Sequence, residues 1–212
     1  MDQMVFRSMS YGVYITTSVD DGRPVGCITN SNTQITSLPA TVSVSVNHNN
    51  HTTACIERSG LFAFTILSTD SDPALIGRFG FASGRDTDKF AGLDYEWAEG
   101  APVVKTGCGY VVCRVIGKME TQTHTVFLGE VVDAKAWSKE IPMTYSYYHQ
   151  VIRGTSPKNA PTYIPPKEEA PAPAVHRYVC SVCGHVYEGE ALPQDYVCPL
   201  CGRDASHFRQ EA

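Results

Sequence analysis

The sequence predicts a mainly β protein in two parts, an antiparallel barrel followed by a small metal-binding module. Residues upstream of Thr155 contain six β-rich runs and few helical patterns. Six of the thirteen prolines then fall within residues 155–175, where proline removes backbone donors and biases its predecessor to extended geometry. This stretch therefore predicts a linker. Four of the eight cysteines crowd the residues that follow it.

The strands are predicted in order from alternation and β-branched content. Residues 41–47 alternate strictly between apolar and polar side chains, as a half-buried strand should. Asp20, Asp21 and Gly22 form a hairpin signal between the first two strands. Strands are predicted at 11–19, 25–30, 41–47, 61–68, 110–119 and 125–136, and short helices at 53–58 and 73–79. Six strands with so few helices favour a closed or split antiparallel barrel.

Composition excludes several classes of protein. The net charge is −5, whereas nucleic-acid binding relies on clustered basic residues, so no nucleic-acid partner is expected. No apolar run approaches the roughly 18 residues that span a bilayer, so no membrane partner is expected. The N-terminus shows no signal peptide, which predicts a cytoplasmic protein with reduced thiols. Cys27, Cys55, Cys108 and Cys113 stand singly and are predicted to be buried small hydrophobes.

The C-terminal cysteines form two Cys-x-x-Cys pairs, Cys180 with Cys183 and Cys198 with Cys201, separated by fourteen residues. Each pair can offer two thiolates to one ion, and two pairs complete a tetrahedron. The spacing therefore predicts a metal site. Four thiolates suit zinc as well as iron.

The residues around these cysteines resemble rubredoxin over about 177–210. Tyr178, Tyr187 and Phe208 accompany a Cys-Pro-x-Cys-Gly knuckle at residues 198–202. The resemblance implies one iron bound by four thiolates and carrying single electrons. The stretch between the knuckles is much shorter than in a typical rubredoxin and is closer to rubredoxin-like modules fused to other redox proteins. A zinc ribbon is the alternative.

Two clusters of uncharged polar side chains follow predicted strands, at residues 29–37 and 47–52. Such clusters suit the polar edge of a ring or a phosphate, and the second immediately precedes a predicted helix. Helix N-termini bind phosphate through free amides and the helix dipole. Ordinary Asn/Ser turns are the alternative.

The order of these segments resembles the flavin reductase-like, FMN-binding split-barrel family. The shared residues are Gly26-x-x-Thr29-Asn30-Ser31, Pro39, Ser43–Asn47 with Asn50 and Thr52, Ser59-Gly60-x-Phe62-x-Phe64, and His124-Thr125-x-Phe127-x-Gly129. The resemblance spans about 4–162. It implies an FMN-binding domain at 1–162, a Pro/Ala-rich linker at 163–175 and a rubredoxin-like domain at 176–212.

This resemblance also implies site residues. The flavin contacts implied are Thr29, Asn30, Ser31, Asn32, Asn47, Asn50 and Thr52. Arg85 is a candidate phosphate cation, with a solvated loop charge as its alternative. In the family a nicotinamide stacks on the exposed flavin face, and the resemblance implies that His124 orients the nicotinamide of NADH there, with a structural histidine as the alternative. The absence of a dinucleotide-binding G-x-G-x-x-G segment agrees with this arrangement. Members of the family are usually homodimers.

The fused architecture resembles the high-molecular-weight rubredoxins, a family of NADH-dependent reductases for flavodiiron proteins. It implies that FMN accepts hydride from NADH and passes single electrons to the iron held by the four cysteines, which reduces the flavodiiron partner. Two alternatives remain. One is an NAD(P)H:flavin reductase with a structural zinc ribbon, and the other is a non-enzymatic flavin-binding sensor module.

Overall fold

The computed structural model describes residues 2–163 and 176–211 of the chain. They fall into two units, one within residues 1–164 and the other within residues 165–212. The predicted linker at residues 163–175 lies outside the described residues except for Tyr163. The domain limits at 162 and 175 therefore stay a prediction.

A seven-stranded antiparallel sheet forms the first unit, with the strand order β2-β1-β5-β8-β9-β4-β3. Two further short strands, β6 and β7, pair with each other. The predicted mainly β, antiparallel fold is confirmed. The strands are β1 (Tyr14–Asp20), β2 (Arg23–Thr29), β3 (Thr33–Ser37), β4 (Ala40–Asn47), β5 (Leu61–Ile66), β6 (Tyr95–Ala98), β7 (Ala101–Val104), β8 (Gly109–Glu120) and β9 (His124–Ala136).

The hairpin between β1 and β2 forms where the sequence predicts it. Asp21 and Gly22 both have positive φ, 48° and 81°. Two such residues define a type I′ turn, whose twist matches that of the flanking strands. Asp20 consequently pairs with Arg23 across a two-residue loop.

Three helices accompany the sheet: α1 (His51–Ser59), α2 (Ala74–Phe81) and α3 (Tyr145–Gln150). Gly60 ends α1 in the left-handed conformation, and its N–H donates to the Ile56 carbonyl at 2.9 Å. Both predicted helices are confirmed, with slightly different ends. A short 3₁₀ helix, Gln3–Ser8, precedes the sheet.

The core of the first unit lies where the buried strand faces meet the helices. Val42, Val44 and Val46 of β4 are buried, as the alternation predicts, while Ser43 and Ser45 between them are partly exposed. These valines belong to one apolar cluster with Ile56, Phe62, Phe64 and Phe127. A second cluster joins β1, α2 and α3 with the residues just after β5 and just before α3; it includes Ile15, Leu67, Ile76, Phe79 and Met143.

Some local features differ from the sequence predictions. Strand β3 was not predicted, because all five of its residues are exposed and the strand has no buried face to produce an apolar alternation. Cys27, Cys55 and Cys113 are buried as predicted. The prediction is wrong for Cys108, which is only partly buried because it lies in the turn before β8.

The second unit is a three-stranded antiparallel sheet with the order β11-β10-β12. Its strands are β10 (His176–Cys180), β11 (Val186–Gly189) and β12 (Phe208–Gln210), and a 3₁₀ helix (Ala205–His207) precedes β12. An aromatic cluster packs beside it, with the Tyr196 ring centroid 4.7 Å from Tyr187 and 5.3 Å from Phe208. A unit this small buries little apolar surface and depends on a further stabilising element such as a metal.

None of the helices in the described part of the chain has the length and apolar character needed to cross a membrane.

Candidate functional site

A cavity of about 270 Å³ opens in the first unit where β2 and β4 end and α1 begins. The end of α2 with the loop after it, and the segment from α3 to Pro161, complete its wall. The first polar cluster predicted from the sequence follows β2, and the second connects β4 to α1. The antiparallel sheet therefore brings both clusters to the same cavity.

Five of the seven residues predicted to contact flavin line this cavity: Thr29, Asn30, Asn47, Asn50 and Thr52. All except Asn50 are buried. Their side chains are hydroxyls and amides, which donate and accept hydrogen bonds without carrying charge. This wall suits the polar edge of a ring or a chain of hydroxyl groups.

The other two predicted contacts, Ser31 and Asn32, do not line the cavity. Asn32 accepts a 2.6 Å hydrogen bond from the Thr29 hydroxyl and donates to Thr16 at 3.2 Å. Ser31 donates to the Ser45 carbonyl at 3.3 Å. Asn32 therefore orients Thr29, while Ser31 ties the polar loop to β4.

Asn30 gives a direct test of whether a ligand fits. Its side chain is 4% exposed, and its amide nitrogen donates to the Thr162 hydroxyl at 3.0 Å. Its side-chain oxygen is buried and has no hydrogen-bond partner among the described residues. Such an acceptor costs about 1–3 kcal/mol if it stays unpaired. A ligand with an N–H or hydroxyl donor, as flavin has on its ring and its ribityl chain, would satisfy it.

Lys89 is a cavity residue that sequence reasoning missed. It is 4% exposed, and its Nζ donates to the carbonyl oxygens of Gly26 and Phe79, each at 3.0 Å. Burial lowers the pKa of this amine. The sequence offers no signal for the burial, because a lysine in a polar loop is usually exposed.

Arg85, the predicted phosphate cation, is exposed and does not line the cavity, although its neighbours Ser83 and Gly84 do. Lys89 is the only lysine or arginine, and there is no aspartate or glutamate, among the described residues that line the cavity. The described wall therefore offers one basic amine and no carboxylate.

Residues 157–162, here called the strap, form part of the cavity wall. The Asn159 amide donates to the Asn50 side-chain oxygen at 2.8 Å. Thr162 receives the hydrogen bond from Asn30. The strap falls within the proline-rich stretch that was predicted as a linker from residue 155 onwards. The strap also belongs to the part of that stretch that the resemblance assigns to the first domain, 1–162, and its hydrogen bonds to Asn30 and Asn50 tie it to the first unit.

His124 begins β9 and pairs in register with Asn47. Its Nδ1 lies 2.8 Å from the Thr123 hydroxyl. Its Nε2 is buried and has no hydrogen-bond partner among the described residues. The backbone of Asn159 lies close to the ring and favours its protonated form. Burial dominates and lowers the pKa of His124, so the ring is neutral at pH 7. The side chain does not line the cavity, and its predicted role with nicotinamide stays a prediction.

The four cysteines of the second unit converge on one point. Their sulfur atoms all lie within 4.8 Å of one another. The Sγ atoms of Cys180 and Cys201 are 3.7 Å apart, and those of Cys183 and Cys198 are 3.4 Å apart. A tetrahedral ion with metal–sulfur bonds of about 2.3 Å separates its sulfurs by about 3.8 Å. The cluster therefore fits a single thiolate-bound ion, as the spacing predicts.

The two knuckles that hold the sulfurs are equivalent. Gly184 and Gly202 follow the second cysteine of each pair with φ of 75° and 70°, a conformation that favours glycine. Their N–H groups donate to the carbonyls of Cys180 and Cys198, each at 2.9 Å. Burial raises the pKa of the Cys198 thiol, but hydrogen bonds from backbone amides, including that of Cys201, outweigh burial and lower it to about 7. These amides favour the thiolate form that binds metal.

Comparison with known proteins accounts for both units. Residues 6–156 match the flavin reductase like domain, and residues 178–209 match the rubrerythrin, rubredoxin-like domain. The first match covers more than half of the chain, so the protein belongs to the flavin reductase-like family. The predicted fold class, a flavin reductase-like barrel with a rubredoxin-like domain, is confirmed. The fold implies flavin, and the rubredoxin-like domain implies iron.

The fusion itself has a full-length counterpart. The chain is 37% identical over 228 residues to high molecular weight rubredoxin from Moorella thermoacetica, covering 99% of this chain and 100% of that protein. It is also 36% identical to ferric-chelate reductase (NAD(P)H) from Archaeoglobus fulgidus, covering 79% of this chain and 100% of that protein. The predicted resemblance to high-molecular-weight rubredoxins is therefore confirmed.

A solved structure shows the same fold for the first unit. The NADH:FAD oxidoreductase of Streptomyces globisporus superposes with a TM-score of 0.62 at 26% identity, over 67% of this chain and 85% of that chain. Together with the curated relatives, it supports an oxidoreductase.

Proposed function

We propose that the chain is an NADH-dependent electron-transfer oxidoreductase with FMN in the cavity and iron at the four cysteines. The observation that carries the proposal is the combination, in one chain, of a polar cavity with an unpaired buried acceptor and a four-thiolate cluster. When bound, flavin exchanges either a hydride or single electrons, and iron held by four thiolates carries one electron at a time.

The residues of the first unit bind and orient. Asn30 offers its unpaired oxygen to a ligand donor, and Asn32 fixes the Thr29 hydroxyl. His124, neutral and beside Asn47, can hydrogen-bond a nicotinamide carboxamide without adding a charge. FMN as the flavin and NADH as the donor follow the resemblance to the flavin reductase-like family.

The strap favours a flavin that stays bound over one that is released as a product. Its hydrogen bonds reach Asn30 and Asn50, two of the predicted flavin contacts. A flavin leaving past the strap would have to break them. This observation favours an electron-transfer protein over a simple flavin reductase that supplies reduced flavin to another enzyme.

The partners are proposed from the similarity to high molecular weight rubredoxin. The iron would pass its electron to a flavodiiron protein, and the chain would act as a homodimer in the cytoplasm. The amide-rich knuckles support the electron-carrier role, because hydrogen bonds to the sulfurs tune an iron–thiolate centre.

The test compares NADH-driven reduction of a purified flavodiiron protein by the wild-type protein and by Cys198→Ser, with Cys108→Ser as the matched control outside the metal cluster. Reduction of the partner should fall to background in Cys198→Ser and persist in Cys108→Ser, while both keep NADH-driven bleaching of their flavin. Zinc in the purified protein, with partner reduction unaffected by Cys198→Ser, would instead favour a flavin reductase with a structural ribbon.

A further inference from the structure

We propose that Tyr145, Ser156 and His149 form a path along which protons leave the cavity for the protein surface. The inference rests on the proposed function, because the proton concerned is the one that the reaction releases. Oxidation of one NADH by two ferric ions yields NAD⁺, two ferrous ions and one proton. Electrons leave the cavity singly for the iron, so the proton that entered with the hydride must reach water by a route of its own.

Tyr145 is the cavity residue at which this path begins. The described wall has no aspartate or glutamate to accept a proton, and it includes two tyrosines, Tyr145 and Tyr148. The Tyr148 hydroxyl donates to the Thr155 carbonyl at 3.0 Å, and a main-chain carbonyl only accepts. Tyr145, which is 7% exposed, is instead joined to side chains that both donate and accept.

The chain of side chains runs from the buried Tyr145 to the partly exposed ring of His149. The hydroxyl oxygens of Tyr145 and Ser156 are 2.5 Å apart. The Ser156 oxygen lies 3.5 Å from Nε2 of His149, the longest contact of the chain. Ser156 and His149 are both partly exposed. The chain therefore connects the interior of the cavity wall with solvent.

The cavity end of the chain has a fixed direction. The Asn30 amide donates to Thr162 at 3.0 Å, and the Thr162 hydroxyl donates in turn to the Tyr145 oxygen at 2.8 Å. The Tyr145 oxygen is thus an acceptor for Thr162. Its own hydrogen remains for Ser156.

The surface end fixes the same direction. Nδ1 of His149 lies 2.9 Å from the Gly154 carbonyl oxygen, which can only accept, so Nδ1 carries the hydrogen. In the neutral ring Nε2 is then an acceptor, and the Ser156 hydroxyl donates to it. The Ser156 oxygen consequently accepts from Tyr145. Both hydroxyls therefore point outwards, from the cavity towards His149.

This direction lets a proton move outwards with every bond replaced. When the Tyr145 oxygen takes up a proton from the cavity, it passes its own proton to Ser156, and Ser156 passes its own to Nε2. One O–H bond forms at each oxygen for each that breaks, and the imidazole ring gains one N–H bond. His149 then releases a proton to water, and the two hydroxyls rotate back.

His51 is the competing exit. It lines the cavity at the start of α1, and its Nε2 lies 3.1 Å from a carboxylate oxygen of Asp20. The Tyr145 chain is favoured because Thr162 links it to Asn30, a member of the polar cluster that suits the edge of a ring. The hydride reacts at the ring of a flavin, so the proton originates nearer to that cluster.

The first measurement needs no flavin. It uses nitrogen NMR on the full-length protein freed of flavin, with isotope-labelled histidine rings and with His149→Ala to assign the signal. In its neutral form the His149 ring should be protonated at Nδ1, and Ser156→Ala should shift the Nε2 resonance. Protonation at Nε2, or no shift in Ser156→Ala, would overturn the inference.

The second measurement follows proton release after NADH is mixed with the loaded protein, using a pH-indicator dye in weak buffer beside flavin and iron absorbance. Ser156→Ala should slow proton release roughly 100-fold, the lower end of what a positioned proton-transfer group contributes, and leave flavin bleaching by NADH unchanged. Imidazole in solution should restore release in His149→Ala. Ser138→Ala is the matched control, because this partly buried hydroxyl donates to the Gly107 carbonyl outside the cavity wall.

Proton release at the wild-type rate in Ser156→Ala would overturn the inference, as would slow release in His51→Gln alone. Equal slowing of flavin bleaching and proton release in Ser156→Ala would show a structural role and overturn it too. Wild-type protein in which NADH bleaches neither flavin nor iron would refute the proposed function, whereas the NMR measurement tests the chain without either cofactor step. The two failures are therefore distinguishable.

Discussion

Loosening the strap is expected to release FMN faster from the cavity. The perturbation is Asn159→Ala or Thr162→Val. The first removes the 2.8 Å hydrogen bond to Asn50, and the second removes both the acceptor of the Asn30 amide at 3.0 Å and the donor to the Tyr145 hydroxyl at 2.8 Å. Each change leaves the main chain of the strap intact.

The magnitude follows from the number of bonds lost. A net hydrogen bond contributes about 0.5–1.5 kcal/mol, and each 1.4 kcal/mol corresponds to about a tenfold change. If FMN must pass the strap to leave, Asn159→Ala should accelerate release about 2- to 12-fold. Thr162→Val, which loses two bonds, should accelerate it about 5- to 150-fold by the same arithmetic.

The assay follows the rise of free-FMN fluorescence after dilution of the loaded protein. Lys158→Ala is the matched control, because Lys158 lies in the strap and no hydrogen bond or ion pair of the described chain involves its side chain. A double-mutant cycle of Asn159→Ala with Asn50→Ala should show coupling between the two positions. Release rates within about twofold of wild type for both Asn159→Ala and Thr162→Val would refute the reasoning that the strap retains the flavin.

Three further predictions concern stability and the nicotinamide. Side-chain hydrogen bonds, above all with His51 and then with Arg23 and Arg58, lower the pKa of Asp20 from 3.8 to about 2. This carboxylate therefore stabilises the fold above pH 3.8, and the contribution is lost as pH falls towards 2. Urea unfolding should show that Asp20→Asn lowers the free energy of unfolding above pH 3.8 and that this loss shrinks as the pH falls towards 2. A loss that stays constant over that range would contradict a stabilising role of the Asp20 carboxylate. His124→Gln should raise the KM for NADH without lowering bound flavin, whereas an unchanged KM would remove His124 from the nicotinamide site. Phe62→Ala, at a fully buried position, should lower the free energy of unfolding by about 3–5 kcal/mol in denaturant titrations; a loss below about 1 kcal/mol would show that the site repacks.

The features predictable from the sequence are those encoded by neighbouring residues. The knuckles at Cys180 and Cys198 need only two intervening residues and a following glycine, so spacing alone predicts the metal cluster. The strict alternation of β4 likewise predicts its buried valines. Because the two polar clusters adjoin strands, the resemblance could also assign Thr29, Asn30, Asn47, Asn50 and Thr52 to one site.

The features that escaped prediction depend on contacts between distant parts of the chain. The strap bonds Asn30 and Asn50 across 132 and 109 residues, and nothing local in a proline-rich stretch indicates such packing. Lys89 is buried because the backbones of Gly26 and Phe79 supply acceptors for its ammonium group. Neither acceptor is visible in the residue types, so the burial of Lys89 could not be predicted.

The visible spectrum of the full-length protein before and after anaerobic addition of NADH tests the central claim most directly. The account predicts flavin bands overlaid with ferric–thiolate absorption, and both should bleach with NADH alone. Bleached flavin bands beside an unchanged ferric–thiolate absorption would contradict an internal path from flavin to iron. Flavin bands with no iron absorption, and zinc by metal analysis, would contradict the electron-carrier role of the four cysteines.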